Sequence, residues 1–191
     1  MPLRIAARCT FAAALTLALA IPMLAQSTGM AGMAPQSSDK PLLSPARHAQ
    51  VALGSATIDI SYNSPSIRHR KIFGGLVPYG EVWRTGANPA TTLVTSVDIT
   101  IGTLSVPAGT YTLYTLPGEQ QWLFIVNKQI GQWGTEYHQE QDLGRIPMQA
   151  APAPSSPQEM MSLTFEKTTP RSTQLHVRWD TTDRYIPITL K

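Results

Sequence analysis

The chain has 191 residues, with 15 Lys and Arg against 12 Asp and Glu and a formal net charge of +3. Two of the basic residues, Arg4 and Arg8, fall in an N-terminal leader; without them 13 basic side chains face 12 acidic ones, and a role on nucleic acid or an acidic membrane gains no support. The one cysteine, Cys9, lies in the same leader, so the chain beyond it excludes disulfides, thiolate metal sites and a cysteine nucleophile.

In chain order, Arg4 and Arg8 form a positive start, and Thr10 to Ile21 is almost wholly apolar. That run suits the apolar stretch of a signal peptide and falls short of the roughly 20 residues that span a bilayer. Pro22 breaks the helix and Ala25 supplies a small residue before a cut, with Ala18-Leu19-Ala20 as the alternative site. Residues 1–25 therefore read as a signal peptide. The protein is expected to be exported, to the periplasm or beyond the cell, with no transmembrane segment in the mature chain. Residues 26–45 are rich in Ser, Gly, Pro and Met and lack periodicity, which predicts a flexible tether. Met30-Ala31-Gly32-Met33 has the spacing of a soft-metal tether, but two methionines also match mere composition, and no cofactor is assigned.

Residues 46–191 read as one β domain. Ile58, Ile60 and Tyr62 alternate with polar residues, as do Val97, Ile99 and Ile101, and Leu175, Val177 and Trp179. A period of two predicts antiparallel strands with one face inward. On the last of these strands His176 alternates outward, with no nearby partner type. Trp122 to Val126 is apolar on both faces, as a strand covered on each side requires. Thr110–Leu116 and Gln121–Asn127 predict a hairpin through Pro117-Gly118. Asp142 to Arg145 reads as one short turn. After a surface loop at Ala150–Pro157, three strands are predicted at Glu159–Lys167, Thr173–Asp180 and Arg184–Leu190, too few to stand alone. About ten short strands with turns between them predict an all-β, antiparallel β-sandwich or jelly-roll-like fold.

The richest chemistry lies between Ser64 and Asn88. Arg68, His69, Arg70 and Lys71 gather charge, Gly74-Gly75 and Pro78-Tyr79-Gly80 force tight turns, and Trp83-Arg84-Thr85-Gly86-Ala87-Asn88 follows. Arg84 and Asn88 are candidate polar anchors, Arg84 by forking onto a carboxylate or phosphate. Trp83 and Tyr79 are candidate stacking surfaces, and Arg68 and His69 complete this loop. The bland alternative is a structural crossover, with Trp83 in the core and Arg84 paired with Glu81 or Asp142. A second loop carries Trp133, flanked by glycines, then Tyr137 and Asp142. Trp133 and Tyr137 could stack on a sugar, or Trp133 could tuck under the sheets.

These segments resemble an exported bacterial family catalogued as a domain of unknown function, number twenty-nine eleven. The resemblance runs from about Ser44 to Lys191 through PSIRHRKIFGGLVPYGEVWRTGAN, AGTYTLYTLPGEQQWLFIVNK, and Gln132-Trp133-Gly134 with Tyr137 and Asp142. It implies the architecture and brings no established activity. The family usually carries an acidic residue after the Asn, where this chain has Pro89, so a site using that carboxylate is altered here.

The sequence shows no Gly-x-Ser-x-Gly elbow, no phosphate-cradling loop from strand to helix, and no metal-ligand spacing among its histidines. The expectation is a non-enzymatic module binding a small polar or glycan ligand, or a partner. The alternatives are an envelope hydrolase acting on glycan or ester, with carboxylates from Glu136–Asp142 and His69 or His138 as base, and a structural or assembly domain.

Overall fold

The computed structural model describes residues 43–191; the expected signal peptide, most of the tether and the Met30–Met33 pair lie outside them. Alternation makes strands, and the first two pair at once. Strand β1 (Ala46–Leu53) turns at Gly54, whose φ of +57° suits glycine, into β2 (Ala56–Asn63), with Leu53 opposite Ala56 and Ala46 opposite Asn63. The chain then leaves the sheet for 27 residues (64–90) before β3 (Thr91–Thr95) pairs antiparallel with β2. A small hairpin follows, β4 (Ile99–Ile101) and β5 (Leu104–Val106), and then the predicted long one, β6 (Gly109–Leu116) and β7 (Leu123–Asn127).

Where a turn is predicted at Asp142–Arg145, the chain is instead extended. A single 3-10 turn at Gln139–Gln141 precedes β8 (Asp142–Pro147), which pairs with β7. The period-two signal was masked there by a register shift at Val126/Asn127 and by Gly144, which replaces a side chain on the alternating face. After the short β9 (Gln149–Ala150) come β10 (Gln158–Glu166), β11 (Ser172–Asp180) and β12 (Thr182–Leu190).

Two antiparallel sheets result, in the orders β1-β2-β3-β6-β7-β8 and β10-β11-β12-β4-β5, with β9 added alongside β12. They pack as a β-sandwich. Ile58, Ile60, Leu93, Leu113, Phe124 and Val126 from one inner face meet Ile99, Ile101, Leu163, Leu175, Val177 and Ile186 from the other, each buried. Along one side the sheets approach closely enough to demand glycine. A Cβ on Gly102, at φ +58°, would lie 2.6 Å from Ile146, and one on Gly144 2.6 Å from Leu104. No helix among the described residues is long and apolar enough to cross a membrane.

Trp179, placed inward by alternation, is buried, as is Trp122 just before β7. His176 is a correction. It projects from the outer face as its strand position requires, yet it is only 3% exposed. Its Nδ1 lies 2.8 Å from Asp183 Oδ1 and its ring stacks at 5.1 Å on Tyr185. Arg178 donates from Nε to Asp183 Oδ2 at 2.6 Å and also binds Glu166. Four polar side chains and one ring thus cover a sheet face that is open to water in the simplest reading of alternation. The predicted start of the last strand at Arg184 is likewise corrected to Thr182, because β11 and β12 join through a turn of two residues, Asp180 and Thr181, with Trp179 opposite Thr182.

Candidate functional site

The 64–90 segment closes one end of the sandwich. Ser66 bridges to Met160 on β10, so the segment starts against the second sheet. Lys71 to Val77 winds into a knot of backbone bonds (Val77 N–H to Ile72 carbonyl 2.9 Å, Gly74 N–H to Val77 carbonyl 2.9 Å) that drives Ile72, Phe73 and Val77 into the core. Phe73 then sits edge-on to three indoles, at 4.7 Å from Trp122, 5.9 Å from Trp83 and 6.1 Å from Trp179. Trp83 and Trp179 stack at 5.7 Å.

The WRTGAN stretch is a built turn in which each residue has a task. Trp83 continues the sheet beyond β3, exchanging two 2.8 Å backbone bonds with Thr115, and its indole N–H donates to the Gly86 carbonyl at 3.1 Å. Thr85, wholly buried, donates to Thr115 Oγ1 at 3.1 Å while its own carbonyl accepts from Thr91 Oγ1 at 3.0 Å. It does so at φ +50°, a left-handed conformation that is costly for a β-branched residue, and Asn88 follows at +60°. Earlier in the segment Arg68 and His69 are also left-handed, at +49° and +58°. Four strained non-glycine positions within one crossover are held by the bonds around them.

Between Trp83 and Asn88 the backbone turns Arg84 out of the core and toward a cleft of about 370 Å³. Arg68, Arg70, Trp83, Arg84 and Asn88 line it, together with Leu76 and Val77. Arg84 pairs with neither Glu81 nor Asp142, and among the described residues it has no ion-pair partner. Its Nε is buried without a hydrogen-bond partner. Burial lowers its pKa from the ordinary value, and nearby Tyr114 opposes that. The second loop fixes its stem. A Cβ on Gly134 would stand 2.0 Å from Arg84 Cδ, and the Gly134 N–H donates to the Asn88 carbonyl at 3.2 Å.

Four of the nine predicted site residues, Arg68, Trp83, Arg84 and Asn88, therefore meet at this cleft, Trp83 as one of its buried walls. His69 and Tyr79 sit nearby on the segment but outside the lining; Tyr79 is 40% exposed and packs against Gly74. Trp133, half exposed, bridges to Pro89 at the rim of the same segment.

Tyr137 and Asp142 belong to a separate arrangement that pins the second loop over the outer face of the first sheet. Tyr137 Oη donates to Asp142 Oδ2 at 2.6 Å, Arg145 Nε donates to the same oxygen at 2.8 Å, and Asn127 Nδ2 donates to Oδ1 at 2.9 Å. Beneath the loop, Tyr114 and Ile125 are fully buried yet stand apart from the main core. Tyr114 bonds Glu136 and Gln132 and meets the Tyr137 ring at 4.9 Å. The Asp142 carboxylate is thus committed to three donors.

Burial, with the Asp142 carboxylate second, pushes the Tyr137 hydroxyl up to about 12 from 10.0. A group whose folded pKa is raised stabilises fully below its unfolded pKa and loses that contribution as pH climbs through the folded one. Stability is therefore expected to fall between pH 10 and about 12 as this group titrates. Urea titrations across that range check it. Tyr137→Phe should make the decline shallower, and an unchanged slope would refute the assignment.

Two features escaped sequence reading. Arg70 completes the cleft, and its place beside Arg68 in the run Arg68–Lys71 was its only signal. The His176–Asp183–Arg178–Glu166 cluster could have been found by pairing β11 and β12 through a two-residue turn, which sets Arg178 against Asp183 and His176 against Tyr185. Among the described residues no three His, Cys, Asp or Glu converge as a metal site.

No curated protein and no solved structure matches the chain. A family model described as a protein of unknown function (DUF2911) matches residues 44–188, from the strand that opens the domain to within three residues of the C-terminus. With that match spanning both sheets, the 64–90 crossover and the loop that holds Arg84, the chain belongs to the DUF2911 family.

Proposed function

We propose that the protein is an exported, non-enzymatic binding module that takes a small ligand in the cleft beside the 64–90 segment. The observation that carries this reading is the cleft itself, where Arg68, Arg84 and Asn88 stand around a concavity of about 370 Å³, within the range of small-molecule sites. Every charged side chain on its wall is an arginine, which binds and orients but does not accept a proton at ordinary pH. The left-handed backbone at Arg68, His69, Thr85 and Asn88 concentrates strain where a site is being shaped. Export is supported by the basic start, the apolar run and Ala25 in the leader.

The test is a thermal-shift screen of the purified protein against neutral sugars, peptidoglycan fragments, carboxylates and phosphates. A ligand at about a hundred times its dissociation constant stabilises by roughly 2.7 kcal/mol, several degrees in Tm. One class should produce that shift and Arg84→Ala should remove it. A panel that shifts nothing, or a shift indifferent to Arg84→Ala, sinks the reading. Export is read from the N-terminus of protein recovered outside the cytoplasm: a start near Gln26 supports it, and an intact Met1 refutes it.

A further inference from the structure

The cleft carries a charge imbalance that specifies its ligand more narrowly. Arg68, Arg70 and Arg84 all line it, and none of its lining residues is acidic. Arg68 and Arg70 are exposed and Arg84 is half-buried; like charges lining one cleft repel one another, and an anion between them relieves that. Here the partners are neutral. Arg68 donates from Nη2 to the Leu43 carbonyl at 2.5 Å, and Arg70 donates from Nε and Nη2 to the carbonyls of Ile67 and Ser66 at 3.0 and 2.6 Å. Those bonds hold the side chains in place and leave their charge uncompensated. The nearest carboxylate in the hydrogen-bond network, Glu159, accepts the Arg68 backbone N–H at 3.1 Å and does not line the cleft.

Arg84 adds a second, independent sign. Its Nε is buried with no acceptor, and among the described residues no carboxylate pairs with its guanidinium. Gly134 lets the stem lie where no Cβ would fit, so the second loop holds the fork in position even without a partner. Beside the guanidiniums the surface turns apolar, with Val77 and Trp83 buried and Leu76 46% exposed. A planar oxyanion matches the fork and a short apolar body matches the wall.

Resting on the binding-module reading, we infer that the cleft selects an organic oxyanion, a carboxylate or phosphate monoester on a small apolar body, held by Arg84 with Arg68 and Arg70. A neutral glycan leaves the three charges unmet and is rejected.

Calorimetric titration of the purified protein with phenyl phosphate, benzoate, inorganic phosphate, benzyl alcohol and a neutral disaccharide tests this. Phenyl phosphate or benzoate should bind, and which of them binds tighter assigns the head group. Benzyl alcohol and the disaccharide should not bind, and inorganic phosphate should bind more weakly for want of the apolar contact. Binding should weaken as NaCl rises from about 50 to about 500 mM, because the contacts are ionic. Arg84→Gln should weaken it at least about tenfold, the scale of one charge-assisted fork. Arg84→Lys should recover it only in part, since an ammonium lacks the planar donor pair. Gly134→Ala keeps every charge and displaces the stem, and should also weaken it; if that variant fails to fold, Arg84→Gln, which keeps the stem, carries the test. Disaccharide binding that is lost in Arg84→Ala, with no anion binding, would overturn this inference and leave the module reading standing. Binding of none of the probes would overturn the inference, while the wider screen decides separately whether the module reading falls with it.

Discussion

Trp179→Ala is expected to lower stability by about 3–5 kcal/mol, the range for emptying a large aromatic site in a packed core. The residue is 1% exposed and belongs to the junction where the 64–90 segment meets the sandwich. Its ring stacks on Trp83 at 5.7 Å, meets Phe73 edge-on at 6.1 Å, and donates from Nε1 to the Glu159 carbonyl at 3.3 Å. Removing it leaves a cavity between two sheets that cannot collapse, because β11 is hydrogen-bonded on both sides. Trp133→Ala is the control. That indole is half exposed, and its loss should cost well under 2 kcal/mol. Urea denaturation of the two variants separates them; similar midpoints would show that the crossover does not rely on the aromatic junction.

The second large effect is expected at Asp183→Ala, a loss of about 3 kcal/mol. Asp183 is 5% exposed and is the acceptor shared by His176 Nδ1 at 2.8 Å and Arg178 Nε at 2.6 Å. Deleting the shared carboxylate leaves a buried imidazole and a partly buried guanidinium without their acceptor, which is costly because both were desolvated for it. Glu166→Gln should cost much less, since its carboxylate is a third exposed and water replaces part of what Arg178 supplies. A double-mutant cycle of Asp183→Ala with Arg178→Ala reads the coupling directly. Additive losses would refute a shared network.

The same cluster gives the protein an acid-side dependence with a definite sign. The Arg178 hydrogen bond, opposed by partial burial, holds the Glu166 carboxyl below its ordinary value. A group with a depressed folded pKa contributes stability above its unfolded pKa and loses it as pH falls through the folded one. Glu166 therefore gives up its stabilising contribution only in the acid range, and Tyr137 only in the alkaline one. Between them neither titrates.

How much of this was legible beforehand differs between layers of the molecule. Period-two alternation assigned the inward faces of β2, β4 and β11, since side chains on a pleated strand must alternate whatever the strand pairs with. The hairpin of β6 and β7 was legible because Pro117-Gly118 is local turn chemistry. β8 was missed, because its pairing is irregular and Gly144 removes a side chain from the pattern. The outer-face cluster was missed for a related reason: burial there comes from neighbours on other strands, and the error of two residues at the start of β12 hid Asp183.

At the candidate site, residue types alone singled out the 64–90 segment as more than a connection. Charge, glycine-driven turns and WRTGAN are properties of the chain itself, and they placed Arg68, Trp83, Arg84 and Asn88 on one short stretch. Only the tertiary structure decided what became of them. It turned Trp83 into the core, because Thr115 offered a backbone partner there and Phe73 and Trp179 a packing surface. It sent Arg84 to a cleft with Arg68 and Arg70 rather than to Glu81 or Asp142. Asp142 was already bound by Tyr137, Arg145 and Asn127, contacts that join residues on a different loop and two strands. Alternation and turn chemistry are written in neighbouring residues. Which charge finds which partner depends on chain segments tens of residues apart, and that is settled only when the sheets close.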